Sequence, residues 1–356
     1  MRPLFLLFPV LAVVSHLCSS CTGTHSQGAD MCQYNISHSA SQEDKVRVSV
    51  AKVTPLVTDN ETPIHSVTKF VSAGGDMYIF DRRMQSIYVF DSAGQQKSYI
   101  NRQGAGPGEY ISANDFSIDE NLNLYVADAG AQRIIRYDYP DYKKFEVYPI
   151  GRAFMNIAVS GEWFYLSYLS EGEDLKIKLA ARTFDNDSLR VLSEAKVDNE
   201  YQAAGGGFTH LWKSDSQLMF YDRFTPFIYR LDDGGAEKYI RLDDNDIPDE
   251  ELIGELITLP TPQRYAKAVE HTDKIIDISA CYETSRYIMM EIMTVPVKFV
   301  VINKESGEYA RLPYLLTKEM KSSIGLIGKC GDYFVTASTG NQEQNPEIVF
   351  LNVTDN

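Results

Sequence analysis

The feature that most limits the fold is a degenerate internal repeat. Each copy has aspartate at its fifth position, isoleucine six residues later and a second aspartate ten residues after the first. The copies are MYIFDRRMQSIYVFDSAG from Met77, LYVADAGAQRIIRYDYPD from Leu124 and LMFYDRFTPFIYRLDDGG from Leu218. Asp81 lies 47 residues before Asp128, and Asp128 lies 94 residues before Asp222. The doubled second spacing predicts a degenerate unit between them, and EWFYL at 162–166 fits this position.

The period and the composition of a unit both indicate short strands joined by tight turns. Apolar and aromatic runs of four to six residues are broken by Asp, Gly and Asn, as in strand–turn–strand segments. The turns DSAG at 91–94 and DDGG at 232–235 combine glycine, which tolerates positive φ, with aspartate, which bonds its own backbone. Repeats of about 40 to 50 residues with this pattern are typical of propeller blades. The prediction is an all-β fold, a six-bladed β-propeller.

Looser units at 286–307 and 332–351 complete the count of six, and the last has only about three strands. Val46 to Val57 alternates like a strand that lacks a partner. Pairing it with the last blade would close the ring and remove an exposed edge. The propeller is therefore predicted to span 46–356.

One segment, at about 243–273, departs from the strand pattern. Its apolar residues fall at helical spacing after a run of acids, DDNDIPDEE, and acids are favourable at a helix N-terminus. We predict a short helical insertion between the fourth and fifth blades. A calcium-binding loop would need a glycine that this run lacks, so helix capping is favoured over metal binding.

The glycine-rich stretch NRQGAGPGEY at 101–110 has the spacing G-x-G-x-G, and no helical pattern follows it. It connects the outer strand of the first blade to the inner strand of the second. Glycine and proline supply the tight, partly positive-φ backbone that such a crossing needs, with Gly106 as the expected positive-φ position. We favour a structural turn over a loop that contacts a ligand. The phosphate cradle is the least favoured of the three interpretations.

The N-terminus predicts export and lipidation. Arg2 precedes an apolar run at 4–17, which is too short to span a bilayer but fits a signal peptide. Ser19, Ser20 and Cys21 resemble a bacterial lipobox, although Cys18 stands where leucine is usual. We predict a signal peptide at 1–20, lipidation of Cys21 and a flexible tether at 21–45. Cys18 and Cys21 also form the redox motif C-x-x-C. A redox role is not expected here, because Cys18 belongs to the signal peptide that is removed.

A resemblance to known proteins rests on the second blade. Its residues RQGAGPGEY at 102–110, DFSID at 115–119 and LYVAD at 124–128 resemble the NHL-type signature. More closely, the chain resembles the six-bladed β-propeller lipoproteins common in Bacteroidetes. The resemblance implies an anchor in the outer membrane, on the periplasmic side or at the cell surface, and protein partners there, but no settled activity.

Residues that carry chemistry are sparse. A net charge of −15 disfavours nucleic-acid partners, which require clustered Lys and Arg. The motifs G-x-S-x-G and H-E-x-x-H do not occur, and no catalytic residue, metal ligand or cofactor is predicted. Cys281 and Cys330 stand in strand-like surroundings, and the possibility of a disulfide between them stays open.

Candidate ligand-binding residues lie beside the inner strands or just after the repeat aspartates. They are Arg82, Arg102, Tyr110, Asn114, Arg133, Tyr201, His210 and Arg223. Each has a structural alternative: a solvated hairpin tip, or for His210 a buried core position. The repeat aspartates are expected to cap hairpins.

The sequence favours a non-catalytic binding or scaffold propeller that recognises a glycan, a peptide or a partner protein. The alternative is a propeller enzyme of the lactonase or lyase type, with a divalent cation such as calcium held in the central channel. Asn114, Asn156 and Asp277 are its candidate ligands.

Overall fold

The computed structural model describes residues 32–37, 45–59, 62–169, 176–196, 209–215, 217–294, 298–312, 325–338 and 345–356. Two strands precede the repeats, β1 (Tyr34–Ile36) and β2 (Val46–Pro55). Blade 1 comprises β3 (Lys69–Ala73), β4 (Asp76–Asp81), β5 (Ser86–Phe90) and β6 (Gln96–Ile100). Blade 2 comprises β7 (Ala113–Ile118), β8 (Leu124–Asp128), β9 (Arg133–Tyr137) and β10 (Phe145–Pro149). Blade 3 comprises β11 (Phe154–Ser160), β12 (Trp163–Leu169), β13 (Lys176–Thr183) and β14 (Arg190–Lys196).

The second half of the ring continues the pattern. Blade 4 comprises β15 (Thr209–Ser214), β16 (Gln217–Asp222), β17 (Phe227–Asp232) and β18 (Gly235–Leu242). Blade 5 comprises β19 (Asp277–Glu283), β20 (Tyr287–Met293), β21 (Lys298–Asn303) and β22 (Tyr309–Leu312). Blade 6 comprises β23 (Leu326–Cys330), β24 (Tyr333–Ser338) and β25 (Glu347–Asp355).

Each blade is an antiparallel sheet whose first strand lies innermost. The first strands β3, β7, β11, β15, β19 and β23 contact one another in sequence, and β23 returns to β3. This closed cycle confirms the six-bladed propeller. The repeat aspartates Asp81, Asp128 and Asp222 end the second strands of their blades, and the degenerate unit supplies β12. The 47-residue period is therefore the length of one blade with its connection.

The ring closes through the N-terminal strand, as predicted. β2 pairs antiparallel with β25 from Val46 opposite Asp355 to Pro55 opposite Glu347. The sixth sheet has the order β2-β25-β24-β23, so its outermost strand comes from the other end of the chain. Closure satisfies the backbone groups of β25 that would otherwise form an open edge.

The prediction of a flexible tether over 21–45 is wrong for one part of that segment. Strand β1 adds parallel to β18 as a fifth strand of blade 4, with Tyr34 opposite Ile240. Tyr34 and Ile36 are buried, because their alternation places both side chains on one face of the sheet, in the same core cluster as Tyr239 and Ile240. Three residues are too short for a period of two to stand out in a polar sequence. The signal peptide, Cys21 and the tether residues 22–31 and 38–44 lie outside the described residues.

The helical insertion is confirmed. A 3-10 turn (Asp244–Asp246) precedes α1 (Glu250–Thr258) and α2 (Thr261–Glu270). Asp249 caps α1, because its side chain accepts a hydrogen bond from the Leu252 amide at 2.9 Å. Leu256 is fully buried and packs with Ile276 at the start of blade 5. The acids therefore serve as helix caps, as predicted.

Two of the three repeat aspartates, Asp81 and Asp128, cap hairpins as predicted, whereas the side chain of Asp222 accepts from Ser193 Oγ of blade 3. Asp81 accepts a hydrogen bond from the Met84 amide across its own turn, at 3.1 Å, and one from the His65 amide at 2.7 Å. Asp128 accepts in the same way from Ala131, at 3.2 Å, and from Ser112, at 3.1 Å. The buried carboxylates of Asp81 and Asp128 thus each join a hairpin turn to the chain that enters the inner strand of the same blade.

The glycine-rich loop is a structural turn that holds its own anion. The Gly106 amide donates to Glu109 Oε2 at 2.8 Å, and the Gly104 amide donates to the Tyr110 carbonyl at 3.0 Å. The expectation of positive φ at Gly106 is wrong. Positive φ falls on Gly108, at 70°, where a Cβ would lie 2.6 Å from the Phe145 ring.

The three described cysteines are free thiols, so the Cys281–Cys330 disulfide does not form. Cys281 is buried with its Sγ 3.9 Å from Met219 Sδ, and Cys330 Sγ lies 3.3 Å from Ser72 Oγ. In the part of the chain that the structure describes, no helix has the length and apolar character needed to cross a membrane.

Candidate functional site: the central channel and its mouths

The channel has two distinct mouths because neighbouring inner strands run in the same direction. The Ile157 amide donates to Asp115 Oδ2, and the Val159 amide donates to Ser117 Oγ, both at 3.0 Å. Successive residues of β7 and β11 therefore stay in step. The starts of the inner strands form one end, here the proximal mouth, and their ends with the following turns form the distal mouth.

Four of the inner strands carry a register irregularity close to the proximal mouth. The shifts lie between Ala113 and Asp115, Phe154 and Asn156, Ile278 and Ala280, and Leu326 and Gly328. A bulge bends its strand and changes the direction of nearby side chains, and bulges are frequent next to functional sites. The proximal mouth is therefore the end where side-chain directions depart most from regular sheet geometry.

His210 and Arg223 meet at the proximal mouth on one carboxylate. His210, on β15, has its Nε2 3.1 Å from Asp277 Oδ1 at the start of β19. Arg223 follows β16, and its Nη2 lies 2.9 Å from Asp277 Oδ2. Burial by itself would raise the pKa of Asp277, but the adjacent His210 and Arg223 lower it below its usual value. The structure thus unites two predicted residues from blade 4 with an acid of blade 5.

The same cluster also joins the two blades mechanically. Arg223 Nε donates to the Ile276 carbonyl at 3.1 Å, and the His210 ring stacks on Trp212 with 5.6 Å between centroids. Arg82, in blade 1, occupies the corresponding position directly after a repeat aspartate. Its Nη2 donates to the Asn114 carbonyl of blade 2 at 3.0 Å. The arginine after the aspartate therefore links its blade to the next inner strand in both places.

Two other predicted residues hold the glycine-rich loop together. Tyr110 is fully buried, and its hydroxyl donates to the Gln85 carbonyl at 2.7 Å. Arg102 donates from its Nη2 to the Tyr142 carbonyl, and its guanidinium lies 4.6 Å from the Tyr137 ring centroid. Both side chains therefore contribute contacts that hold the loop to the neighbouring turns.

Arg133 and Asn114 have similarly local partners. Arg133 pairs with Asp128 at 3.0 Å and donates to the Glu109 carbonyl at 2.7 Å. The Asn114 side chain accepts from Ser112 Oγ at 3.1 Å. Tyr201 lies outside the described residues. The structure therefore brings His210 and Arg223 together at the mouth, whereas the other described candidates have partners in loops or in connections between blades.

The channel interior contains charged residues that the sequence analysis missed. Lys69 Nζ lies 2.8 Å from Asp115 Oδ1 and donates to the Phe116 carbonyl at 2.7 Å. The Tyr282 hydroxyl donates to the Ile327 carbonyl at 3.0 Å, which links blades 5 and 6. The sequence signal was Asp115, a charged residue inside the strand segment DFSID. An unpaired charge is rarely buried, so a charge at such a position indicates a partner in the fold.

The distal mouth contains a cavity of 220 Å³ lined by residues of blades 1, 2, 4 and 6. Lys213 near the end of β15 and Lys329 near the end of β23 both reach it. Lys329 is paired with Asp215. Burial lowers the pKa of Lys213 below its usual value. The distal mouth therefore combines empty volume with cationic groups that are largely shielded from solvent.

The three residues considered as cation ligands do not form a set. Asn114 accepts from Ser112, Asn156 Oδ1 accepts from Ser167 Oγ at 3.3 Å, and both oxygens of Asp277 have partners. Within the described ranges, no group of three His, Cys, Asp or Glu side chains is placed to hold a metal ion.

The fold matches solved structures from Bacteroides. One is a Bacteroides fragilis protein provisionally described as exported, with a TM-score of 0.70 and 16% identity over 90% of this chain and 99% of that one. Another is a member of the DUF4221 family from Bacteroides vulgatus, with a TM-score of 0.58 and 12% identity over 88% of this chain and 100% of that one. At these identities the likeness shows a shared fold.

No curated protein matches the chain in sequence. The sequence profile of one family, a domain of unknown function, matches residues 42–339, which include almost all of the ring. This propeller therefore belongs to the DUF4934 family.

Proposed function

We propose that the protein is a non-catalytic binding or scaffold propeller, lipid-anchored through Cys21 outside the cytoplasm. Its ligand is a glycan, a peptide or a partner protein that is recognised at the proximal mouth. His210 and Arg223 supply the hydrogen-bond donors, since each also has part of its side chain exposed, 22% and 12% respectively.

The observation that carries this proposal is the double pairing of Asp277. A channel acid that served a divalent cation would offer free carboxylate oxygens. Here both carboxylate oxygens already have nitrogen partners, an imidazole and a guanidinium, so the partly exposed polar groups at this mouth are those of His210 and Arg223. Such donors suit hydroxyl, carbonyl and carboxylate groups, which glycans and peptides carry in abundance.

A thermal-shift screen of glycans and peptides tests the ligand class, because a ligand that binds only the folded state raises Tm. His210→Gln retains a donor toward Asp277 but changes the surface of the mouth. Arg82→Gln alters the corresponding arginine of blade 1 and serves as the matched control. We expect the ligand-induced rise to shrink in His210→Gln and to persist in Arg82→Gln.

Metal analysis and melting in calcium against chelator test the catalytic alternative. A calcium-dependent rise in Tm that Asp277→Asn abolishes would contradict the proposal and support a cation-dependent lactonase or lyase.

The anchor is supported by the lipobox-like residues before Cys21 and by the likeness to a Bacteroides protein described as exported. Cys21→Ala should abolish acyl labelling and release the protein from the membrane fraction. Persistent labelling of that variant would place the lipid on another residue.

A further inference from the structure

The cavity at the distal mouth has the size of a small-molecule site. Its 220 Å³ equals the volume of about seven waters in the liquid and is smaller than the sites that hold drug-sized ligands. One wall is apolar, with Phe70 and Val71 of blade 1 and Leu122 of blade 2. A ligand that fills it must be small and partly apolar.

Lys213 places a charged donor at this cavity. Its Nζ donates to the carbonyls of Ile118, at 2.8 Å, and Val159, at 2.6 Å. An ammonium group has three N–H donors, and among the described residues the third has no acceptor within hydrogen-bond distance. The group is therefore held in place by two backbone bonds while one donor remains for a ligand.

The rim of the cavity carries the opposite charge. Glu120 Oε1 lies 3.8 Å from Lys213 Nζ, too far for a hydrogen bond, and the Glu120 side chain is 55% exposed. Asp215, the partner of Lys329, is also exposed. Asp119 lines the cavity too, but its carboxylate already accepts from Asn123 and Tyr125. The cavity thus has cations on its floor and two carboxylates at its opening.

We propose that the distal mouth binds a small zwitterion, a free α-amino acid with an apolar side chain. Its carboxylate takes the third donor of Lys213, its ammonium group faces Glu120, and its side chain packs on Phe70 and Leu122. The opposite charges of Lys213 and Glu120 are about as far apart as those of an α-amino acid. Each charge of the ligand can therefore face the opposite charge of the protein at the same time. This site is separate from the proximal mouth and from the ligand proposed there.

Calorimetry with L-leucine and L-phenylalanine tests the site. The matched probes are 4-methylpentanoate, which lacks the ammonium group of leucine, and 3-methylbutylamine, which lacks its carboxylate. We expect the amino acids to bind and each one-charge analogue to bind about tenfold more weakly or not at all, since a hydrogen bond between charged groups is lost.

Two variants assign the contacts. Glu120→Gln lies on the exposed rim and should fold normally, weaken leucine binding about tenfold and leave 4-methylpentanoate unaffected. Lys213→Met should abolish binding of both. His210→Gln, at the opposite mouth, should change neither, so that failure here is distinguishable from failure of the proposed function. No heat and no Tm shift at millimolar amino acid, or equal leucine affinity in Glu120→Gln, would overturn the proposal.

Discussion

The ring of Tyr34 packs edge-on against the ring of Tyr239, with 5.5 Å between centroids and 76° between planes. This contact fixes β1 to the outer strand of blade 4. The segment also reaches blade 5, because the Tyr309 hydroxyl donates to the Ser37 carbonyl at 2.8 Å. A stretch before the propeller proper therefore joins two blades from outside.

Truncation from the N-terminus should reveal two steps of destabilisation. A chain that begins at Lys45 loses β1. The apolar surface that Tyr34 and Ile36 cover becomes exposed, which should lower the free energy of unfolding by about 2–5 kcal/mol. A chain that begins at Thr58 also loses β2, and we expect it to aggregate because β25 becomes an open edge. Urea denaturation measures both, with a chain beginning at Cys32 as control. Equal stability of the Cys32 and Lys45 chains would contradict a structural role for β1.

Gly108 should matter more than Gly106. Gly108→Ala places a Cβ at φ 70° and against the Phe145 ring, which should lower the free energy of unfolding by about 1–3 kcal/mol. In Gly106→Ala the nearest atoms belong to the Glu109 carboxylate, at 3.0 Å, and that side chain can move. Thermal melting of the two variants compares them. A larger loss in Gly106→Ala would show that the Glu109 contact, rather than backbone geometry, maintains the turn.

Glu291 should make stability depend on pH. Burial raises its pKa above the usual value, and its Oε2 accepts from the Leu326 amide of blade 6 at 2.8 Å. The folded state therefore holds this proton more tightly than the unfolded state. Its contribution to stability is present below the unfolded pKa of about 4.3 and is lost as pH rises through the folded pKa.

Glu291→Gln keeps an acceptor for Leu326 without a charge. We expect its Tm to exceed that of the natural protein at pH 7 and the difference to shrink toward pH 4. Glu291→Leu, which has no acceptor, is the control and should be less stable at both pH values. If the Tm of Glu291→Gln lay below that of the natural protein by the same amount at every pH, burial would not destabilise the Glu291 carboxylate.

Cys281 should be unreactive in the folded protein. Burial raises the pKa of its thiol, and the thiolate is the reactive form. We expect a small maleimide to label Cys330 in the native state and Cys281 only after unfolding, as followed by mass spectrometry of peptides. A Cys330→Ser variant separates the two signals. A native protein that is lighter than the calculated mass by two hydrogens, and in which neither Cys281 nor Cys330 reacts with maleimide, would indicate a disulfide between them.

The sequence determined the blades because their signals are local. The repeat aspartates Asp81 and Asp128 bond amides within their own blades, and glycine and aspartate turns follow from backbone chemistry over a few residues. The period of 47 residues, the helical insertion and the unpaired strand at 46–57 were all visible for that reason. Even ring closure was predictable, since a strand without a partner and a blade one strand short complement each other.

The channel was decided by tertiary structure. Asp277 meets His210 and Arg223 across 67 and 54 positions of sequence, and Lys69 meets Asp115 from another blade. Whether an arginine after a repeat aspartate points to solvent or to the next blade depends on how adjacent sheets pack, which no local pattern encodes. The cavity beside Lys213 exists only where four strand ends converge. The blades thus follow from interactions between residues close in sequence, whereas the two mouths depend on how the six blades pack in the ring.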